Sequence, residues 1–158
     1  MRIENVMTKT VATCVPEQSL NDAARIMWER DCGIVPIVLG PDDRRVVGVV
    51  TDRDICIAAY TKGRSLAQIP IGDVMATKVT SCRAGDEISA AEELMRQAQV
   101  HRLPVVDESE QLAGIVSLAD IARASARKVG GRPQVSCGEV GETVAAILRG
   151  RELQAAPA

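Results

Sequence analysis

The sequence predicts an α+β fold of two β-α-β-β-α repeats that pack sheet against sheet with pseudo-twofold symmetry. The first observation is a duplication, because the segment 48–55 (GVVTDRDI) recurs with changes as the segment 114–121 (GIVSLADI). The second is that matching residues precede both segments in the same order, among them Pro36 and Pro104, before a turn two residues longer in the first copy shifts the register by two. The third is size, since a repeat of about 55 residues cannot bury its sheet alone and must pack against its copy.

The first repeat, residues 1–62, begins with an extended piece over 10–14 and a helix opened by Ser19, whose partner in a capping box is Asp22. Apolar residues recur at helical spacing along this helix and are expected to face the core. Two β-branched runs joined by a polar turn then predict a hairpin, and a second helix completes the unit. These last elements are expected over residues 34–39, 46–50 and 51–60.

The second repeat, residues 69–128, has the same order of elements. Its extended piece, first helix, hairpin strands and closing helix are expected over residues 78–82, 88–95, 103–106, 112–116 and 117–128. Residues 129–158 form a C-terminal extension. Apolar residues on one helical face predict a short helix over 139–149, and the last residues, 154–158, are expected to fray.

Composition argues against several classes of function. A net charge of −2 with no basic block disfavours a nucleic-acid surface. The five cysteines form no Cys-x-x-Cys pair and are expected to be reduced core thiols, and the single histidine, His101, cannot complete a zinc site with them. No apolar run reaches the ~18 residues of a membrane span and no signal peptide is recognisable, so the cytoplasm is the expected compartment. No nucleophile with a base and no phosphate-binding loop is visible, so catalysis is not expected.

The duplicated segment carries the candidate chemistry. In each copy a strand ends in a hydroxyl residue, Thr51 or Ser117, and a helix follows with Asp54 or Asp120 in its first turn. A carboxylate can accept hydrogen bonds from both hydroxyls of a ribose, and a helix N-terminus favours anionic oxygens. The same pattern also describes a simple N-cap, and this alternative stays open.

The duplicated unit, the hairpin segment 102–107 (RLPVVD) and the paired turns resemble a tandem pair of cystathionine β-synthase (CBS) domains over residues 1 to 126. The second repeat is similar to the adenylate-binding repeats in the γ subunit of AMP-activated protein kinase. This resemblance implies a stand-alone regulatory module that binds adenosine-containing nucleotides (AMP, ADP or ATP) in the cleft between the repeats. The nucleotide would be a regulatory ligand, and no other cofactor is implied.

The resemblance also implies two sites, each combining the turn of one repeat with the extended segment of the other. The residues implied for the second-repeat site are Ser117, Asp120, His101, Arg102, Pro104, Thr10, Val11 and Thr13. Those implied for the first-repeat site are Thr51, Asp54, Arg53, Ile34, Pro36, Lys78, Val79 and Thr80. His101 and Arg102 would meet phosphates, so the second-repeat site is expected to bind a charged nucleotide more tightly. Arg53 either contacts a phosphate in the first-repeat site or is simply exposed to solvent.

The expected partners are an adenosine-containing small molecule, a second copy of the chain in a homodimer, and a regulated protein that the sequence does not identify. Two alternatives remain. One is a dimeric adaptor that needs no ligand, although an adaptor has no reason to keep an acidic ribose acceptor in both turns. The other is a sensor of S-adenosylmethionine or a dinucleotide, since these share the adenosine group.

Overall fold

The computed structural model describes residues 1–126, 128–129, 132–133 and 135–148. The chain divides into two compact units that differ from the sequence repeats. The first-repeat unit contains Thr10–Val79 and Asp107–Leu112. The second-repeat unit contains Met1–Lys9, Thr80–Val106 and the residues from Ala113 onward. Each unit therefore includes a short segment of the other repeat.

The first-repeat unit is built on a β-hairpin with a helix before and after it. The bounds are α1 Leu20–Arg30, β1 Ile34–Val38, β2 Val46–Thr51 and α2 Asp52–Lys62, followed by 3-10 turns at Leu66–Gln68 and Ile71–Asp73. β1 and β2 pair antiparallel with Val35 opposite Val50. The predicted hairpin and helices are confirmed, whereas the extended piece 10–14 forms no named strand and contacts the hairpin through a parallel bridge from Cys14 to Ile37.

The second-repeat unit contains a three-stranded sheet in the order β3-β4-β5, in which β3 runs parallel to β4. A 3-10 turn at Ile3–Asn5 precedes it. The remaining bounds are β3 Cys82–Arg83, α3 Ile88–Ala98, β4 Arg102–Val106, β5 Leu112–Ser117, α4 Leu118–Ala126, β6 Lys128–Val129, β7 Arg132–Pro133 and α5 Cys137–Leu148. The mixed helix and strand class is as predicted.

The prediction for the end of the second repeat was wrong in detail. The helix expected to reach Lys128 ends at Ala126, and Lys128 pairs with Pro133 in a short antiparallel ladder. A proline lacks the amide that a helix needs, and glycines disfavour helical backbone, so the sequence GGRP disfavours continuation of the helix. The expected fraying of 154–158, and Arg149 as the end of the last helix, lie outside the described residues.

The helix starts follow the local sequence. Ser19 and Asp22 form the predicted capping box at α1, in which Ser19 Oγ accepts from the backbone of Asp22. In return the hydroxyl and the backbone nitrogen of Ser19 donate to Asp22 Oδ2 at 2.7 and 3.1 Å, and these two hydrogen bonds lower the pKa of the Asp22 carboxyl group. Both α1 and α3 end in a residue with left-handed backbone, Asp31 with φ 48° and Gln99 with φ 52°. The repeat thus extends to the geometry of the helix ends.

The cysteines do not all belong to the core. Cys14 and Cys82 are buried in the two hydrophobic clusters, one in each unit. Cys32 is half-buried, and Cys56 and Cys137 are exposed. The expectation of five core thiols was therefore wrong, because residues such as Cys56 lie on the outer side of a helix whose inner positions are taken by Ile55 and Ala58.

The C-terminal helix α5, for which the resemblance offers no counterpart, packs against α3 and α4. Its buried side chains are Val140, Thr143 and Ile147, so the predicted apolar face is confirmed for Val140 and Ile147, whereas Leu148, which was predicted to share it, is exposed. Among the described residues, no helix is both long and apolar enough to cross a membrane.

Candidate functional site

The two strand-helix junctions have the same internal geometry. At the first, Thr51 donates to Asp54 Oδ2 from its backbone nitrogen at 2.8 Å and from Oγ1 at 2.6 Å. At the second, Ser117 donates to Asp120 Oδ2 from its nitrogen at 2.8 Å and from Oγ at 2.5 Å. The N-cap alternative therefore describes real contacts at both junctions. It uses one carboxylate oxygen, Oδ2, and leaves Oδ1 as the atom that could accept from a ligand.

The two Oδ1 atoms differ in their surroundings. Asp120 Oδ1 accepts a hydrogen bond from Arg123 Nη2, one helical turn further along α4. The residue at the matching place in the first repeat is Ile57, which has no charge. No hydrogen bond to Asp54 Oδ1 occurs within the part of the chain that the structure describes. Sequence reasoning missed Arg123, although an acidic residue three positions before a basic one on a helix is a recognisable ion-pair spacing.

The start of each hairpin lies against the start of the following helix. The backbone nitrogen of Leu118 donates to the carbonyl of His101 at 2.9 Å, and that of Asp52 donates to Gly33 at 3.4 Å. His101 and Arg102 are exposed, so their side chains are accessible at the start of β4, beside the Ser117 junction. Pro104 is buried within β4.

At the first junction the same places are apolar. Ile34 is paired with Thr51 in the hairpin and Pro36 is buried, so neither offers charge. Arg53, in the first turn of α2, is exposed. Arg53 is therefore a candidate cation for an anion at this junction, and it lies on the helix rather than on the hairpin.

A segment from outside each hairpin crosses its second strand next to a glycine. Ala76 forms a two-way backbone bridge with Val49 at 3.0 and 2.9 Å, and Thr8 forms the same bridge with Ile115 at 2.8 and 2.9 Å. A Cβ on Gly114 would lie 2.7 Å from the carbonyl oxygen of Thr8. The duplicated glycine thus permits this close approach of two backbones.

The residues predicted for each site are divided between the two compact units. Lys78 and Val79 follow Ala76 and belong to the first-repeat unit with Thr51 and Asp54. Thr80 belongs to the second-repeat unit. Thr10, Val11 and Thr13 belong to the first-repeat unit, whereas the other residues of their predicted site, Ser117, Asp120, His101, Arg102 and Pro104, belong to the second-repeat unit.

Contacts that the sequence did not predict hold Val11 within the first-repeat unit. Gln111 Oε1 accepts from the backbone nitrogen of Arg44 at 2.6 Å, and the nitrogen of Leu112 donates to the Arg44 carbonyl at 3.0 Å. Arg44 Nη2 in turn donates to the carbonyl of Val11 at 3.5 Å. Arg44 Nε is buried without a hydrogen-bond partner among the described residues. The residues come from two hairpin turns distant in sequence, so no local pattern could reveal them.

A cavity of about 220 Å³ runs along α2 within the first-repeat unit. Its lining residues are Asp54, Ile57, Ala58, Thr61, Lys62, Asp73 and Val74. Lys62 Nζ lies 3.9 Å from Asp73 Oδ2, so the far end of the cavity has both signs of charge. Ligand pockets usually measure roughly 300–1,000 Å³, so this cavity has room for part of a nucleotide. Within the described ranges, no group of three or more His, Cys, Asp or Glu side chains could hold a metal ion.

Comparison with known proteins gives a family match. The family model of the CBS domain matches residues 3–60 and 71–127. The chain is 37% identical over 120 residues to the CBS domain-containing protein YhcV of Bacillus subtilis, covering 76% of this chain and 82% of YhcV. It is 38% identical over 112 residues to Hypoxic response protein 1 of Mycobacterium tuberculosis, covering 70% of this chain and 76% of that protein.

Solved structures of similar proteins contain different ligands. Hypoxic Response Protein I with two coordinated zinc ions has a TM-score of 0.70 and 33% identity, over 78% of this chain and 98% of that one. CBSX2 in complex with AMP has a TM-score of 0.68 and 25% identity, over 79% and 96%. The CBS domain pair of MJ0100, in complex with 5′-methylthioadenosine and S-adenosyl-L-methionine, has a TM-score of 0.69 and 24% identity, over 78% and 94%. The last likeness is one of fold.

Proposed function

Because the chain belongs to the CBS domain family, we propose that it is a regulatory module that binds an adenine nucleotide at its strand-helix junctions and relays the occupancy to a partner protein. In this proposal the repeats span 1–62 and 69–128, with 129–158 as an extension, and the module has no catalytic role of its own. AMP, ADP and ATP are the proposed ligands. The binding of AMP by CBSX2 supports this choice.

The observation that carries the proposal is the carboxylate oxygen left over at both junctions. In each capping box the hydroxyl residue donates to Oδ2, and Oδ1 takes no part in the cap. A ribose hydroxyl that donates to Asp54 Oδ1 displaces no protein contact. A ribose at Asp120 exchanges with Arg123, whose side chain is 65% exposed and is proposed to turn toward the phosphate of the same ligand. A hydrogen bond to a carboxylate contributes about 1.5–3 kcal/mol.

The phosphate is assigned to exposed cations beside each junction. At the second junction His101 and Arg102 precede the buried part of β4 and lie next to the first amides of α4. A helix N-terminus and a guanidinium both favour an anionic oxygen. At the first junction Arg53 takes this part in the proposal. Lys78 and Val79, which follow the bridge to β2, are proposed to contact the base there, together with Ile34 and Pro36.

At the second junction the ribose is likewise assigned to the aspartate and the phosphate to the exposed cations. Thr10, Val11 and Thr13 belong to the first-repeat unit, so the proposal for this junction rests on Ser117, Asp120, His101 and Arg102, which share the second-repeat unit. Pro104 supports the hairpin backbone from its buried position.

The test is a thermal-shift titration of the full chain with AMP, ADP, ATP and S-adenosylmethionine. Ligand at about a hundred times its dissociation constant adds roughly 2.7 kcal/mol to the free energy of unfolding. For a chain of this size, that corresponds to a rise of about 5–10 °C in Tm. A flat Tm with all four ligands at millimolar concentration would contradict the proposal and favour a ligand-independent adaptor.

S-adenosylmethionine or a related compound is the second candidate. The specific observation is the fold likeness to the MJ0100 pair, which is bound to S-adenosylmethionine and 5′-methylthioadenosine. The same titration separates the two candidates. Of the two ligands, only AMP has a phosphate that Arg102 could bind. A rise in Tm with S-adenosylmethionine but not with AMP would therefore favour the second candidate.

A further inference from the structure

The helix α5 is an addition to the repeated fold. The match to the CBS family ends at residue 127, whereas α5 spans Cys137–Leu148. It packs against α3 and α4, and the side chains that it buries are Val140, Thr143 and Ile147. A helix that is attached to a finished fold by one short face can open locally while the rest of the fold stays intact.

The backbone of α5 is a weak helix former. Gly138 and Gly141 both lie within the helix, and a glycine in a helix interior is less favourable than an alanine by a factor of about five. Nothing lies within 4 Å of a Cβ added to Gly141, so no close contact requires a glycine there. An isolated helix of 12 residues is marginal in water, so α5 depends on its contacts with α3 and α4.

A buried carboxyl group lies at the centre of these contacts. Glu92 of α3 is only 2% exposed, and Thr143 of α5 is fully buried. Thr143 Oγ1 lies 3.2 Å from Glu92 Oε1 and 2.9 Å from the carbonyl oxygen of Glu139, and it accepts a hydrogen bond from Arg96 Nη1 at 2.7 Å. A hydroxyl group has one proton to donate. Thr143 can therefore donate to Glu92 or to the Glu139 carbonyl, but not to both.

The protonation state of Glu92 decides whether all these groups are satisfied. A neutral Glu92 can donate its own proton to Thr143 Oγ1, so the hydroxyl proton stays on the Glu139 carbonyl. An ionised Glu92 can only accept, and it competes with that carbonyl for the single proton. Arg96 does not pair with Glu92 instead, because its Nε and Nη2 donate to Glu93 at 3.1 and 2.7 Å. A buried carboxylate with so few donors is costly.

The charges around Glu92 come from two helices. Burial raises the pKa of Glu92, and the like charge of Glu139 on α5 acts in the same direction, whereas Arg96 on α3 lowers it. The helix α4 meets α5 through an uncharged residue, Ser125, whose carbonyl oxygen lies 3.9 Å from Cys137 Sγ. The docked position of α5 therefore favours the protonated form of Glu92, and its stability declines as the pH rises through the raised pKa.

We propose that α5 is a pH-sensitive cover on α3 and α4, which stays docked while Glu92 is protonated and opens more often, without unfolding of the repeats, when Glu92 ionises. Opening returns the charged carboxyl group to water and separates it from Glu139. This device is independent of the proposed nucleotide sites, because none of the residues assigned to them lies on α5. Its failure would therefore leave the proposed function untouched.

The test is hydrogen–deuterium exchange of the full chain, followed by mass spectrometry at pH 4 and pH 8 and corrected for the intrinsic exchange rate at each pH. Peptides from α5 are compared with peptides from α3. In the wild-type chain, α5 is expected to lose protection relative to α3 as the pH rises. Glu92→Gln cannot ionise, and its amide can donate to Thr143 as the protonated acid does. In this variant the protection of α5 relative to α3 is expected to be the same at both pH values.

Gly141→Ala is the matched control, because it strengthens the helix without touching Glu92. It is expected to raise the protection of α5 about fivefold at both pH values, since helix propensity does not titrate. Exchange of α5 only together with α3 would overturn the proposal, as would equal protection of wild-type α5 at the two pH values or a fall with pH that persists in Glu92→Gln. If Glu92→Gln fails to fold, the wild-type chain at the two pH values, compared with Gly141→Ala, decides alone.

Discussion

Arg123 donates to the one oxygen of Asp120 that the capping box leaves free, whereas the equivalent of Arg123 in the first repeat is Ile57. The two junctions are therefore alike in their caps and different in what a ligand finds there. At Asp54 the oxygen is open, with Ile57 and a small cavity beside it. At Asp120 a ligand exchanges one partner for another. The contact of Arg123 with Asp120 is thus a second difference between the two junctions, in addition to the presence of His101 and Arg102 at the second junction alone.

Arg123→Ala is expected to strengthen the binding of adenosine at the second junction. The variant removes the competitor for Asp120 Oδ1, and an ion pair with a mostly exposed arginine stabilises by up to about 1 kcal/mol, or roughly fivefold in affinity. AMP is expected to gain less, because the released guanidinium can pair with its phosphate. Calorimetric titration with both ligands measures the difference. Arg25→Ala is the matched control, since Arg25 pairs with Asp22 at the same spacing on α1 and no ligand site is proposed there. Weaker adenosine binding by Arg123→Ala would contradict the competition.

Asp120→Ala and Asp54→Ala are expected to affect separate binding events. Each removes one ribose acceptor and lowers affinity at its own junction by about ten- to a hundredfold, equivalent to roughly 1.5–3 kcal/mol. The tighter event for AMP should be lost with Asp120→Ala and nearly unchanged with Asp54→Ala, because His101 and Arg102 lie beside Asp120. Calorimetry with AMP follows both events.

Both variants also remove the carboxylate half of a capping box, so they are expected to lower the stability of the chain as well. Asp22→Ala is the control for this loss, because Asp22 caps α1 with the same contacts. It should lower Tm similarly and leave AMP binding intact. If Asp54→Ala abolishes the tighter event while Asp120→Ala spares it, the assignment of the two sites is inverted.

The parts of the fold that the sequence predicted are those encoded locally or by repetition. The capping boxes at Ser19 and Thr51 depend on residues three apart, so a short pattern is sufficient. The hairpins follow from β-branched runs around polar turns. The pattern of Thr51 and Asp54 occurs again in the second repeat as Ser117 and Asp120. This recurrence is the reason that the sequence alone could identify the two junctions as candidate sites.

The parts that the sequence did not predict depend on residues distant along the chain. The bridges of Thr8 to Ile115 and of Ala76 to Val49 place whole segments beside strands. Gly48 and Gly114, which permit these close approaches, are visible in the sequence, but they do not identify the segment that approaches them. The contact of Arg44 with Gln111 joins two turns that show no local pattern. The ion pair of Arg123 with Asp120 depends on the conformation of the arginine side chain. A separation of three residues on a helix permits this pair but does not require it.

Thiol labelling is expected to separate the cysteines into classes. Burial raises the pKa of Cys14 from 9.0 to about 11 and that of Cys82 from 9.0 to about 12. At a given pH these shifts lower the thiolate fraction by about a hundredfold or more, in addition to blocking access. Cys56 and Cys137 are exposed and should react first with a disulfide reagent at pH 8. Mass spectrometry of the labelled chain identifies the sites, and Cys56→Ser should remove one fast thiol. Equal rates at Cys14 and Cys56 in the folded protein would contradict the burial of Cys14.

The stability of the chain is expected to contain a term that declines as pH rises, and Glu92 is its source. Burial under α5 raises the pKa of Glu92, with the nearby charge of Glu139 acting in the same direction and Thr143 and Arg96 opposing it. The folded state therefore holds this proton more tightly than the unfolded chain does. Its contribution is fully present below the ordinary pKa of 4.5 and is lost as the pH rises through the raised pKa.

Glu92→Gln keeps an acceptor for Thr143 but cannot ionise, so its Tm should exceed that of the wild-type chain increasingly as pH rises above 4.5. Glu93→Gln is the matched control on the same helix. Hydrogen bonds from Arg96 and Gln97 lower the pKa of the exposed Glu93, so this variant should instead lose stability relative to wild type above the same pH. Melting curves from pH 4 to 8 compare the two variants directly. A constant difference between Glu92→Gln and wild type across that range would show that Glu92 keeps an ordinary pKa, and that α5 does not bury its carboxyl group in solution.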